Sequence, residues 1–313
     1  MTCAFIFPGQ GSQAVGMGKA LAEASPVARE LFEEVDDALG QHLSRLMFEG
    51  PEDELRLTEN AQPALMASSL AVVRVLEREG GIDLAQKAAM VAGHSLGEYS
   101  ALAAVGALSL ADTARLLKRR GQAMQRAVPV GDGAMAALIG LELEAARAIA
   151  QEAAQGQTCA PANDNAPGQV VISGARAAVD RAIEIAKTRG AKRALVLPVS
   201  APFHFDLMAP AAAEMHDALA EATIAAPALP VVSNITARGE SDPEAIRRLL
   251  VEQVTGMVRW RESVLYMAGE GIDTLVELGT GKVLTGLARR IDRGLSARAV
   301  QTADDIEALI GVL

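Results

Sequence analysis

The sequence predicts an α/β fold: a mostly parallel sheet covered by helices on both faces, interrupted by a small β-α-β-β-α-β unit. Three observations predict it. Short apolar runs alternate with amphipathic stretches through residues 1–128 and 199–313, the pattern of strands joined by crossover helices. Residues 129–198 read instead as strand, helix, strand, strand, helix, strand, the split ferredoxin-like order. Half of the 313 residues are hydrophobic but only 3% are aromatic, so alanine, leucine and valine must pack many closely spaced helices.

The chain opens on a strand, Cys3-Ala4-Phe5-Ile6-Phe7, that runs into the glycine-rich loop Pro8-Gly9-Gln10-Gly11-Ser12-Gln13. Ser25-Pro26 is an N-cap followed by proline at the first helical position, and starts a helix to Leu39. Pro63 is expected to open the next helix, to Glu79. Residues 89–92 form a buried strand and 96–105 the helix after it. Ser109, with Asp112 three residues on, caps a helix to Val128. A breaker cluster at 129–133 then leads into strand 134–140, helix 142–154, a polar loop with strand character at 158–165, strand 169–173, helix 175–188 and strand 193–199. Residues 129–198 therefore read as a small domain inserted in a larger one made of 1–128 and 199–313. The larger one resumes with a helix after Pro210, strands at 230–233 and 273–278, and a strand–helix pair from Ala297.

Charge and composition narrow the function. With 29 basic and 39 acidic residues the formal charge is −10, which speaks against general nucleic-acid binding. No apolar run approaches the ~20 residues that span a bilayer, so no membrane partner is expected. No basic segment precedes the first strand, and Cys3 and Cys159 (the latter read as a loop residue) lack metal or redox spacing, so a cytoplasmic location is expected. No His/Cys/carboxylate cluster suggests a metal. Gly9-Gln10-Gly11-Ser12-Gln13-Ala14 superficially fits a dinucleotide fingerprint, but Glu30, Glu33 and Glu34 fall inside a helix rather than at a strand end. Gly279-Thr280-Gly281-Lys282 is not a phosphate loop, because Val276 and Val283 replace its first glycine and its hydroxyl residue. Asn234-Ile235-Thr236 matches a glycosylation sequon, without meaning in the cytoplasm.

Gly93-His94-Ser95-Leu96-Gly97 fits G-x-S-x-G directly between a strand and a helix. A serine at such a corner sits on a strained turn, with its hydroxyl at the carboxyl end of the sheet and free helix N–H groups beside it. Ser95 is therefore a candidate nucleophile; the plain alternative is a Gly-Ser-Gly turn in a chain with 28 glycines. A nucleophile needs a base, and four histidines are available. His94 adjoins Ser95 and should point away from it, packing or hydrogen bonding at the corner. His42 and His216 lie in polar helical stretches and read as solvated. His204 follows the last strand of the small unit, so elimination and position favour it over a loop histidine with only a hydrogen-bonding role. Arg120 falls on the apolar side of its helix, near Leu116 and Leu117, where a guanidinium needs an anion or several acceptors. A buried pair with Asp or Glu and a clamp for a substrate carboxylate both meet that need.

Phe7-Pro8-Gly9-Gln10-Gly11-Ser12-Gln13, Gly93-His94-Ser95-Leu96-Gly97-Glu98, Arg120-Gly121, Pro167-Gly168-Gln169, Phe203-His204 and Glu277-Leu278-Gly279 occur in an order and spacing that resemble the malonyl-CoA:acyl-carrier-protein transacylase family, acyltransferases of fatty-acid and polyketide synthesis. The resemblance covers essentially the whole chain. It implies a hydrolase-like α/β core with an inserted ferredoxin-like domain, and a ping-pong transfer through malonyl-Ser95 with His204 as base. Malonyl-CoA and phosphopantetheinylated acyl carrier protein would be the substrates, with no cofactor. It further implies an oxyanion hole from the N–H groups of Gln10 and Leu96, where one donor is worth roughly 3–4 kcal/mol. Arg120 would hold the malonyl carboxylate, and the Gln253 backbone carbonyl would orient His204 as a triad aspartate does. Asn165 aligns near the acyl site, and His94 is carried with the substrate-binding residues. Phe203 matches the malonyl-selecting pattern, disfavouring a methylmalonyl unit by only ~1–3 kcal/mol. Phe205-Asp206 departs from the family, and Asp206 is expected to face solvent.

Two other functions stay open on the residues alone: a serine hydrolase or thioesterase on the same elbow, and a nucleotide- or acyl-CoA-binding module in which Ser95 merely starts a helix. A discrete polyketide-type acyltransferase is a variant of the first reading. The carrier protein is acidic, so an acidic enzyme must offer it a local basic patch. Lys118-Arg119, Lys187 with Arg189, Lys192-Arg193 and Arg289-Arg290 with Arg293 are the candidates, each equally readable as a solvated face. A monomer is expected.

Overall fold

The computed structural model describes residues 2–129, 131–199 and 201–313. Its strands are β1 (Cys3–Phe7), β2 (Ala88–Gly93), β3 (Gly133–Ile139), β4 (Cys159–Ala166), β5 (Gln169–Ala175), β6 (Arg193–Val196), β7 (Val231–Val232), β8 (Gly239–Glu240), β9 (Thr274–Leu278) and β10 (Ser296–Val300). Six form one sheet in the order β10-β9-β1-β2-β7-β8, parallel except for the β7–β8 pair. The central strand explains the double helical cover. Cys3, Phe5 and Phe7 pack into one apolar core, while Ala4 and Ile6 pack into another on the opposite face. Because these strands run the same way, the loops after β1, β2 and β9 meet at one edge of the sheet.

The other four strands form an antiparallel sheet, β4-β5-β3-β6. The helices Leu143–Ala154 and Arg176–Thr188 cover one of its faces with a core of alanine, valine, isoleucine and leucine. Met135, Ala162 and Val171 turn the other way, into the main core. The backbone also ties this sheet to the rest: Asp164 N donates to Val258 O (2.9 Å), and Val258 N donates to Ala162 O (2.9 Å). A cleft between the two sheets follows from this arrangement.

Several boundaries differ from expectation. The helix expected to start at Pro63 begins at Thr58 and runs to Arg78, with Pro63 inside it. Seventeen of its 21 residues are buried, and that burial outweighs one missing backbone hydrogen bond. Cys159 opens β4 rather than lying in a loop. The last strand of the small sheet ends at Val196, although Leu197 N still donates to Met135 O (2.8 Å). The strand expected at 230–233 is β7, two residues long, and its two-residue antiparallel partner β8 is too short to leave a sequence pattern. The breaker cluster 129–133 includes Val130, outside the described residues. Among the described residues no helix is long and apolar enough to cross a membrane, and no group of three or more His, Cys, Asp or Glu is arranged to hold a metal ion.

Candidate active site

The elbow is built by close backbone approach. A Cβ on Gly93 would stand 1.9 Å from the Gly97 carbonyl group, so only glycine lets β2 turn straight into the helix Leu96–Ala104. Ser95 sits at the turn with φ 53° and ψ −109°, a sparsely populated conformation that costs on the order of 1–3 kcal/mol. Asn234 holds it there from across the sheet. Its Oδ1 accepts the Ser95 N–H (2.7 Å) and its Nδ2 donates to Gly93 O (2.7 Å). His94 N donates to Phe7 O (3.0 Å), which fixes the end of β1, and hence the loop carrying Gln10, against the same corner.

His204, also at positive φ (56°), comes within 2.7 Å of Ser95 Oγ through Nε2. Its Nδ1 lies 2.9 Å from the carbonyl oxygen of Gln253. A carbonyl only accepts, so Nδ1 carries the proton and Nε2 presents its lone pair to the serine hydroxyl. Burial, reinforced by the nearby Arg120 charge, pushes the His204 pKa down to about 3. The imidazole is thus neutral over the whole physiological range.

Arg120 arrives by another close contact. A Cβ on Gly121 would fall 2.5 Å from Glu59 Cα, so glycine lets the helix Leu110–Ala127 lie directly on Thr58–Arg78. The guanidinium, 1% exposed, donates to Gln62 Oε1 (2.8 Å), Gln253 Oε1 (3.0 Å) and Ser95 Oγ (3.1 Å), and lies over the Tyr99 ring. Its bonds all go to neutral oxygens. Among the described residues it joins no ion pair, and its Nε has no acceptor. Burial lowers its pKa, and burial raises that of its neighbour Glu98 to about 7 against the pull of Asn234, Gln253 and Arg120.

A cavity of about 90 Å³ joins these groups: Gln10, His94, Ser95, Leu96, Arg120, Phe203 and His204 line it, with Gln62, Met124, Met135, Asn163, Leu197 and Val199. Leu96 is the first residue of its helix, where N–H groups lack intrahelical acceptors. Gln253 stands behind His204 rather than in the cavity. Asn165 is not among the lining residues; its Oδ1 accepts from His94 Nε2 (2.8 Å), while Asn163, two residues earlier on the irregular strand β4, faces the cavity. The His94 ring also rests against buried Trp260, the corner packing expected of it, and burial lowers its pKa. His42 and His216 are exposed, as is Asp206. Asn234, dismissed as a meaningless sequon, is fully buried and holds the elbow. Glu98, Gln62 and the Gln253 side chain also escaped sequence reasoning. Their partners are distant in the chain, and only the polar residue after Gly97 in the serine motif hinted at one of them.

The acyl transferase domain family matches residues 4–305. The chain belongs to that family. Among relatives of this acyltransferase, the malonyl CoA-acyl carrier protein transacylase of Escherichia coli K12 is 48% identical over 307 residues, covering 98% of each chain. The crystal structure of an acyl-carrier-protein-S-malonyltransferase from Bartonella henselae superposes with a TM-score of 0.97 at 56% identity, covering 100% of both chains. A malonyl-transacylase solved in complex with its type II polyketide acyl-carrier protein gives 0.96 at 45% identity, covering 99% of both. These relatives share the mixed α/β architecture with a mostly parallel sheet.

Proposed function

We propose that this acyltransferase moves a malonyl group from malonyl-CoA to the phosphopantetheine thiol of acyl carrier protein, supplying fatty-acid synthesis. One observation carries the reading: a buried guanidinium 3.1 Å from the nucleophilic oxygen, bonded to no carboxylate of its own. Such a cation in an acyl pocket suits an acyl chain with a carboxylate at its far end. A hydrolase of uncharged esters has no use for it.

Ser95 Oγ attacks the thioester carbonyl while His204 Nε2 takes its proton. The N–H groups of Gln10 and Leu96 receive the oxyanion. Collapse expels coenzyme A, protonated from His204, and leaves malonyl-Ser95. The carrier thiol then gives its proton to His204 and attacks the ester, restoring the serine. The thioester brings its own activation, so the reaction asks for no cofactor. Gln253 O keeps the histidine tautomer throughout, Arg120 holds the malonyl carboxylate, and Phe203 narrows the pocket against a methylmalonyl branch. Asn165 acts through His94, and Asp206 stays clear of the base. This reading goes with a cytoplasmic location and with a division into 1–128 plus 199–313 and 129–198, supported by the separate core of the small sheet.

The carrier's acidic surface needs free cations, and ion pairing sorts the candidates. Lys118 pairs with Glu59, Arg119 with Glu214, Lys187 with Glu184 and Arg189 with Glu152. Lys192, Arg193, Arg289, Arg290 and Arg293 are exposed and in no ion pair among the described residues. Arg290 donates to Gln169 Oε1 (2.9 Å), and Gln169 and Arg193 both flank Ile139 in register. Arg193 lies four residues before Leu197 of the cavity, about 13 Å along the chain, within reach of a phosphopantetheine arm. We assign the carrier to this end of the small sheet.

Intact-mass measurement after mixing with malonyl-CoA, and again after adding carrier protein, tests the reading. A malonyl adduct on Ser95 that the carrier discharges, and that is strongly reduced in Arg120→Ala, supports it. No adduct, or rapid hydrolysis of uncharged esters insensitive to Arg120→Ala, refutes it.

A further inference from the structure

Glu98 lies on the elbow helix, 3% exposed, and has no step in the transfer just described. Its Oε2 accepts two N–H groups: the backbone N–H of Asn234 (3.0 Å) and Nε2 of Gln253 (2.8 Å). Those two residues hold the nucleophile from both sides. Asn234 Oδ1 takes the Ser95 N–H, and Gln253 Nε2 also donates to Ser95 O (3.1 Å). Gln253 then reaches the other two working groups, with its carbonyl on His204 and its Oε1 on Arg120. A carboxylate only accepts and a guanidinium only donates, so the Gln253 amide fits between them one way round. One carboxylate oxygen therefore fixes, through a single amide, the position of serine and cation together, on the residue whose backbone carbonyl holds the base.

We propose that Glu98 is a positioning residue for malonyl transfer, holding the Gln253 side chain as a bridge to Arg120 and Asn234 as the clamp on Ser95. The inference rests on the malonyl-transfer reading. A carboxylate that merely tied two segments together would support stability and leave the kinetics alone. Displacing reacting groups by about 1 Å costs on the order of 10²-fold in rate.

The test uses three variants of the full chain, each checked for folding by circular dichroism and thermal melting. Glu98→Gln keeps an oxygen that can accept both N–H groups. Glu98→Asp keeps the charge but withdraws the oxygen by one methylene. Glu98→Ala removes both. Single-turnover malonylation of Ser95 should stay within about fivefold of wild type in Glu98→Gln, and fall more than tenfold in Glu98→Asp and on the order of 10²-fold in Glu98→Ala. Gln253→Ala removes the bridge but leaves the carbonyl on His204, so Glu98→Ala added to it should cost less than fivefold more. Equal impairment of the Gln and Asp variants, better activity in Asp than in Gln, or independent multiplication of the Glu98→Ala and Gln253→Ala losses would overturn the proposal. So would lowered melting temperatures with rates within twofold of wild type. If the wild-type chain itself gains no malonyl adduct, the transfer reading fails instead, a result distinguishable from all of these.

Discussion

At the carboxyl end of β9, Glu277 turns its carboxylate into the start of the helix Val283–Ile291, accepting from Leu284 N (3.1 Å), Thr285 N (2.7 Å) and Thr285 Oγ1 (2.7 Å). At the carboxyl end of β2, on the same edge of the sheet, the helix Leu96–Ala104 begins with no side-chain cap, and its leading serine is held in a strained conformation. Both are strand-to-helix turns, and both helix starts favour negative charge. The protein fills the first with its own anion. The first turn of the second also carries an acid, Glu98, but its Oε2 accepts from Asn234 N and Gln253 Nε2 rather than from the helix N–H groups, which are left for charge that develops during a reaction. Where the chain turns its own carboxylate away from the N–H groups of a helix start is where chemistry is expected.

Breaking the open turn should have the largest effect. Ser95→Ala should abolish the malonyl adduct in intact-mass measurement. His204→Ala should slow acylation by about 10²–10⁴-fold, measured by quenched single turnovers. Persistence of the adduct on another residue in Ser95→Ala would break the contrast between the turns. The filled turn should respond in stability alone. Glu277→Ala strips three donors of a buried acceptor and should lower unfolding free energy by about 3 kcal/mol in denaturant titration, with KM for malonyl-CoA unchanged.

Glu98 sharpens the comparison through pH. Its folded pKa of about 7 lies above the 4.5 of an ordinary glutamate, so the unfolded chain gives up this proton first. The stability from this group is complete below pH 4.5 and is lost as pH rises through about 7. Glu98→Gln should therefore be more stable than wild type at pH 8, by at most roughly 3 kcal/mol, with the difference vanishing below pH 4.5. Thermal melts across that range check it. The smallest effect concerns the base: Arg120 is one cause of the low His204 pKa, so Arg120→Gln should move the acid limb of acylation by an uncharged acyl-CoA to higher pH. A limb unmoved by the substitution would mean that burial alone sets it.

Much of the site was legible because its signals are local. G-x-S-x-G between a strand and a helix marks Ser95. Arg120 stands out because its helix projects it among Leu116 and Leu117. The alternating strands and helices, and the β-α-β-β-α-β order in 129–198, point to a mostly parallel sheet and a second, smaller one before any contact is known. These patterns depend on residues within a few turns of one another, where backbone sterics and side-chain period leave few options. Asn234 reaches Ser95 across 139 positions, and Gln253 reaches Glu98 across 155. No periodicity records such pairings, because buried polar side chains take their partners from whatever the packed sheets bring beside them. The sequence by itself determined the elbow, most of the strands and the cation on an apolar face; only tertiary packing decided that Asn163 rather than Asn165 faces the cavity, and that one residue, Gln253, joins acid, cation and nucleophile through its side-chain amide and the base through its backbone carbonyl.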